Sequence, residues 1–311
     1  MSDHATSAIN KRTKNEIIEI RELSQKTMFP WIFDALLDWT IISAMIFLIG
    51  QAHNVPAYII ALLVIGNRQH ALAVLGHEGA HYTLHADRRL NDFISNLFCF
   101  WPLLITTDGY RNLHFIHHNN TGTSKDPELL HKKARAPQWD LPLNKRKVFL
   151  YAIKDIFGYS IPDLFIILVF SKPKNKNLLL PVFCLHLVFI TASIALGYWW
   201  ITLTWYIAIA TTFMMFFRFR LWIEHQGTFD TQRIELTWLQ AAILAPHKIW
   251  LHWEHHRWPT VPYHKLTKAR TILSEQTPIN LSKLIHNLSH HEFLPSGASI
   301  DDHQPETMEM G

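Results

Sequence analysis

The sequence predicts an all-α integral membrane protein: four transmembrane helices in two hairpins, with a cytosolic helical cap holding a two-metal site. Three observations carry this. Hydrophobic residues make up 49% of the 311-residue chain and aromatic residues 13%, against only 17% charged, a balance that leans towards membrane proteins. Four apolar stretches reach the ~20 residues that a helix needs to cross a hydrocarbon core. Nine histidines fall into four short clusters at helical spacing: His77 and His81 in HEGAH, His114, His117 and His118 in HFIHH, His225 in RLWIEHQG, and His252, His255 and His256 in HWEHH.

Residues 1–29 are expected to form a cytosolic N-terminal segment; 1–25 are polar and charged and lack the apolar core of a cleaved signal peptide, so the first hairpin is expected to act as the targeting signal. That hairpin comprises spans at about 30–50 and 55–75, joined by QAHNVP. The second comprises spans at about 178–197 and 198–217, joined by almost nothing. Tyr198, Trp199 and Trp200 mark its outer turn, and the run from Trp199 to Trp205 reads as interfacial anchoring. Residues 91–107 and 159–170 are apolar but short or interrupted. They read as helices lying on the membrane surface or packed under the cytosolic part. The membrane domain is expected to cover 30–286, and 287–311, without periodicity, to form a disordered tail.

Charge placement sets the orientation. Of 29 Lys and Arg residues, 5 precede the first hairpin, 14 lie between the hairpins in 86–177, and 9 follow the second; Arg68 alone falls inside a span. The two outer loops contain none, so the positive-inside rule puts both termini, the middle segment and every histidine cluster in the cytoplasm. Arg68 is placed to snorkel or to pair with Asp34 or Asp38. Lys172, Lys174 and Lys176 are expected to meet anionic lipid. The isoelectric point near 9.0 does not imply nucleic-acid binding, because the basic residues are not interleaved with aromatics on one patch. Cys99 and Cys184 both sit in apolar stretches and define neither a disulfide framework nor a CxxC site.

Residues three and four apart share a helix face. HxxxH therefore presents two imidazoles and each HxxHH three, and converging helices would build an almost all-nitrogen pocket large enough for two metal ions. Imidazole suits zinc, copper, iron and nickel, and eight or nine nitrogens exceed what one ion takes. Glu78, Glu224, Glu254, Asp126 and Glu128 lie close enough in sequence to orient the rings, and each reads equally well as a solvated charge or helix cap. A redox-active pair just inside the membrane could activate oxygen and attack an unactivated C–H bond of a lipid-soluble substrate.

HEGAH, HFIHH and HWEHH followed by RWPTVPYHKL resemble the three histidine boxes of the membrane fatty acid desaturase superfamily. His225 and the DPE stretch at 126–128 also have counterparts there. The resemblance covers roughly 30–270. It implies a non-haem di-iron centre ligated by His77, His81, His114, His117, His118, His225, His252, His255 and His256, with O2 as co-substrate and electrons supplied from outside. It implies desaturation of a lipid acyl chain, with hydroxylation or ketolation of a lipid or carotenoid as the alternative. No HPGG haem-binding motif is present, so a separate donor of ferredoxin or cytochrome b5 type is expected. Leu221 stands where the acyl-CoA branch typically has an asparagine supporting a water ligand.

Other histidines read differently. His70 and His85 are expected to pack with an ordinary hydrogen bond, and His186 to bond helix to helix. His286, His290 and His291 mimic a box without apolar support. His247 and His264 flank the third box, and His264 is placed to line the site. A membrane metal transporter is a third reading, disfavoured because the clusters lie outside the spans.

Overall fold

The computed structural model describes residues 14–273 and 276–290. Helix α1 (Lys14–Leu23) leads into two long helices, α2 (Met28–Ala52) and α3 (Val55–Ala80), which pack side by side. They are joined by His53 and Asn54; His53 is left-handed, and the Asn54 side chain accepts the Ala57 N–H at 3.0 Å to cap α3. The middle of the chain folds as α4 (Arg88–Ser95), continued by a π turn over Asn96–Phe100, then α5 (Thr107–Asn120), α6 (Pro127–Ala134), α7 (Lys145–Ile156) and α8 (Ile161–Phe170). Next come α9 (Leu180–Ala195) and α10 (Trp199–Ala208). The latter passes through a π turn, Ile209–Phe213, into α11 (Met214–His225). The remainder comprises β1 (Ile234–Glu235), α12 (Trp238–Leu244), α13 (His252–Arg257), α14 (Leu266–Ile272), β2 (Ile279–Asn280) and α15 (Leu281–Ser289). The strands form a two-residue parallel bridge, Ile234 opposite Ile279. Asn287 and Leu288 are buried in α15, while His291 and the rest of the expected tail lie outside the described residues.

Four helices are long and apolar enough to cross a membrane: Met28–Ala52, Val55–Ala80, Lys176–Ala195 and Trp199–His225. Two of them outrun the apolar stretches that mark them in the sequence. α3 continues past 75 to Ala80, and the fourth continues past 217 to His225. The 26 residues of α3 extend about 39 Å at 1.5 Å per residue, against a hydrocarbon core of ~30 Å. The first box and His225 thus ride on rigid extensions of two spans.

Those two are also the inner helices. Within their apolar windows 61% and 56% of residues are buried, against 22% and 17% for the outer pair. They cross closely at Gly66, where an added Cβ would stand 2.1 Å from Thr212 Oγ1 and 2.6 Å from the Phe213 backbone nitrogen. Thr212 meanwhile donates to Leu62 O at 2.7 Å. Small residues permit such approach between membrane helices. Gly66→Ala is therefore expected to cost about 1–3 kcal/mol by overpacking, read as a lowered melting temperature in detergent.

Buried ion pairs tie the cap to the inner helices. Arg218 on α11 makes a two-pronged contact with Asp155 on α7, at 2.6 and 3.0 Å. Within the cap itself, Asp163 on α8 receives Arg135 Nε at 3.0 Å and contacts His131 at 2.9 Å, joining α6 to α8. Ile20 of α1 is buried with Leu266 and Ala269 of α14 and with Leu273 just after it, so the N-terminal helix closes over the stretch that follows the third box.

Candidate metal centre

All nine predicted histidines converge, and they do so as two groups. His77, His81, His114, His118 and His255 form one; His117, His225, His252 and His256 form the other. Within each, the offered nitrogens lie within 4.8 Å of one another. Helical phase produces this division. In HFIHH the i,i+4 pair His114 and His118 serves the five-membered group and His117 the other. In HWEHH the pair His252 and His256 serves the four-membered group and His255 crosses to the first. Each HxxHH box therefore bridges two sites, while HEGAH feeds one.

The nitrogens face one another. His114 Nε2 lies 2.8 Å from His81 Nε2 and 2.9 Å from His118 Nε2, and His255 Nε2 lies 3.3 Å from His118 Nε2. In the second group His252 Nε2 is 2.9 Å from His225 Nε2 and 3.0 Å from His256 Nε2. An imidazole nitrogen has one in-plane position, either N–H or lone pair, so His114 and His252 cannot serve two partners each by hydrogen bonding alone. A shared cation resolves the conflict. Nitrogens at right angles around an ion at ~2.1 Å stand about 3.0 Å apart, which matches these separations. The donor set fits two metal ions.

Burial disfavours the protonated form at most of the converging imidazoles. It holds His114, His118, His252, His255 and His256 well below the ordinary histidine value and takes His81 down to about 3. His117 differs: burial, the largest single influence, lowers it, but the bond to Asp126 and the charges of Glu128 and Asp126 together outweigh burial and raise it. His117 Nδ1 meets Asp126 Oδ1 at 2.9 Å, while Oδ2 accepts the Gly122 N–H at 3.0 Å. Asp126 thus fixes the tautomer and turns Nε2 inward. His225 Nδ1 donates to the Asp230 carbonyl at 3.1 Å in the same manner. Asp126→Asn is expected to weaken metal retention about 10–100-fold, as losing such a partner typically does. Metal content after dialysis against a chelator measures it.

The other carboxylates separate into two kinds. Glu224 and Glu128 face the four-histidine group: Glu224 Oε2 lies 3.6 Å from His252 Nε2, and Glu128 Oε2 3.9 Å from His225 Nε2. Glu78 Oε1 lies 3.5 Å from His77 Nδ1, and its Oε2 accepts the Tyr263 N–H at 2.9 Å. Glu254 turns away from the rings; its Oε1 accepts Arg233 Nε at 2.7 Å and Arg270 Nε at 2.9 Å.

Several positioning residues were not read from sequence. Arg111, three residues before the second box, donates to the carbonyls of Ala80 (2.8 Å) and Gly79 (3.2 Å), pairs with Asp92, and stacks 3.8 Å from the Tyr82 ring centre. It holds the end of the first-box helix against the second-box helix, and no local pattern announces it. Gly79 within HEGAH seats Ser95: an added Cβ would fall 2.2 Å from Ser95 Oγ.

The remaining histidines lie elsewhere. His186 bonds Tyr206 OH (2.7 Å) and Trp101 O (2.8 Å), linking helices. His85 Nδ1 accepts the Asp87 N–H. His70 is fully buried, yet neither ring nitrogen has a hydrogen-bond partner among the described residues, so the expected bond is not made. His247 sits between Asp38 (2.7 Å) and Asp34 (3.4 Å), and Arg68 pairs with Asp38 at 3.0 Å. His264 belongs to neither group; it is bonded to Thr27 Oγ1 at 2.8 Å, at the start of α2. His286 and His290 are exposed on and just after α15.

A cavity of about 370 Å³ opens beside the four-histidine group. Its far wall is apolar, with Leu113, Leu130, Ile166, Ile167, Phe170 and Phe217; its near wall carries Glu128, Glu224, His117, His225 and His252. The apolar wall suits a hydrocarbon chain, and the near wall puts that chain against the candidate metal.

Among known proteins, the chain is 30% identical over 237 residues to the dihydrorhizobitoxine desaturase of Bradyrhizobium elkanii, covering 69% of this chain and 67% of the relative. It is 28% identical over 139 residues to the sn-1 acyl-lipid omega-3 desaturase (ferredoxin) of Nostoc sp. (strain 36), covering 42% and 36%. It is 24% identical over 211 residues to the zeaxanthin 4-ketolase of Chlamydomonas reinhardtii, covering 65% and 41%. Residues 53–287 match the family model for fatty acid desaturase, a stretch that contains all nine converging histidines. With four helices of membrane length as well, the chain is a membrane protein that belongs to the fatty acid desaturase family.

Proposed function

We propose that the protein is an oxidoreductase that desaturates a lipid acyl chain, using O2 at two iron ions held by His77, His81, His114, His118 and His255 and by His117, His225, His252 and His256. The observation that carries this is the convergence of nine imidazoles as five and four beside an apolar cavity. Iron at this site would supply the oxidising power, from O2 and external electrons, to remove two hydrogens from a saturated carbon pair with release of water.

The chain's own residues do the rest. Leu113, Ile167 and Phe217 hold the substrate chain by apolar contact and keep water from it. Asp126 and the Asp230 carbonyl fix the rings of His117 and His225. Glu224 is 2% exposed and Arg220 5% exposed, and their ion pair at 2.8 Å holds both in this wall of the cavity. The placement of Lys and Arg supports a topology with both termini and the centre in the cytoplasm, within reach of a separate ferredoxin or cytochrome b5 type donor. Similarity to a desaturase that bears ferredoxin in its name favours the first.

A second reading, ketolation or hydroxylation at the same centre, is favoured by the similarity to a zeaxanthin 4-ketolase. Mass spectrometry of total lipids and carotenoids from cells expressing the protein separates the two. A product lighter by two hydrogens establishes desaturation. One heavier by an oxygen establishes hydroxylation, and loss of two hydrogens with gain of an oxygen establishes ketolation.

A further inference from the structure

The two histidine groups are unequal, and the shortfall lies beside two carboxylates. The first group has five nitrogens and the second four. On the four-nitrogen side Glu224 and Glu128 are built alike. Glu224 Oε1 accepts Arg220 Nε at 2.8 Å, and Glu128 Oε1 meets Lys132 Nζ at 2.6 Å, both from one helical turn away in sequence. In each case the cation sits on one oxygen and the other oxygen faces the ligand nitrogens, 3.6 Å from His252 Nε2 and 3.9 Å from His225 Nε2. Both side chains line the same cavity as His117, His225 and His252. Glu224 is 2% exposed, too buried to serve as a solvated surface charge.

On the five-nitrogen side the nearest carboxylate, Glu78, approaches a ring at Nδ1 (His77, 3.5 Å) and not at an Nε2 as Glu224 and Glu128 do. Its Oε2 accepts the Tyr263 N–H and contacts the Thr83 hydroxyl. Leu221, one turn before His225, brings no donor to the four-nitrogen side.

We propose that Glu224 and Glu128 supply oxygen donors to the metal of the four-histidine group, making the centre chemically asymmetric: nitrogen-only at one ion, mixed nitrogen and oxygen at the other. This rests on the reading of the histidines as a two-iron centre and deepens it. The physical sense is direct. A divalent ion among four neutral imidazoles keeps its full charge, and carboxylate oxygen is a hard donor that offsets it. Arg220 and Lys132 hold each carboxylate by one oxygen, leaving the second to the metal. The four-histidine group also supplies three of the four converging histidines that line the substrate cavity.

The test uses the full chain in detergent, loaded anaerobically with isotopically enriched ferrous iron. Metal content is measured by elemental analysis and the sites are resolved by Mössbauer spectroscopy. The wild type is expected to bind two irons with two distinct quadrupole doublets. In the double variant E128Q/E224Q, the iron of the four-histidine group is expected to be lost or weakened roughly tenfold or more. Its doublet should disappear or move while the other stays, and His77→Ala should affect the other doublet instead. Should the double variant fail to fold, E128Q alone serves, because Glu128 is 17% exposed and tolerates replacement more readily; it should shift one doublet. Two irons with both doublets unchanged in these variants would overturn the proposal. A wild type that binds no iron would sink the reading of the centre itself, a separate result.

Discussion

His255→Ala is expected to abolish product formation, a fall of at least ~100-fold, since losing even an outer partner of a ligand costs 10–100-fold. His255 is 1% exposed, and its Nε2 lies 3.3 Å from His118 Nε2 while its ring packs 4.5 Å from those of His77 and His81. Alanine would leave a gap among neutral nitrogens that no neighbouring side chain fills. The same change should reduce bound iron while leaving the helices in place, so metal content and product are measured together. His264→Ala supplies the contrast. It removes a bond to Thr27, worth about 1 kcal/mol, and iron should remain at the wild-type level. Full activity in the His255 variant would show that the grouping of nitrogens misassigns the ligands.

The sequence carried the histidines and the apolar spans because both are written in local spacing. Period-3.6 clustering survives in any context, and ~20 apolar residues can be read without knowing their neighbours. The ends of the two inner helices were less legible. Arg218, Arg220 and Glu224 break the apolar run but not the helix, because Asp155 satisfies Arg218, and Arg220 and Glu224 satisfy each other. Hydropathy registers the charge and misses the partner. The division of each HxxHH box between two groups depends on helical phase and on which helix faces which, set by long-range packing. Arg111 against Gly79 and Ala80 spans about thirty residues and leaves no pattern of its own. The placement of His264 failed for a related reason. Its position after the third box suggested the site, but Pro262 and the turn at Tyr263–Lys265 carry it towards Thr27.

Glu254 shows how a charge inside a metal motif serves the motif without touching the metal. Helix α13 has 6 residues, too few to be stable alone, yet it carries three of the nine converging histidines. Glu254 is fully buried and takes Arg233 and Arg270 on one oxygen. Arg233 in turn donates to the carbonyls of Arg270, Leu273 and Gln276 and lies over the Trp253 ring at 4.4 Å. Removing one member of a buried ion pair leaves the other charge uncompensated, at about 3–5 kcal/mol. Glu254→Ala is therefore expected to destabilise the protein by that amount, and to release iron only as α13 loosens. The two effects should move together: melting temperature and metal content fall in parallel, and added iron partly restores both. Iron lost at an unchanged melting temperature would mean that Glu254 acts on the ligands directly. The geometry argues against this, since both arginines hold the carboxylate on the side away from the rings.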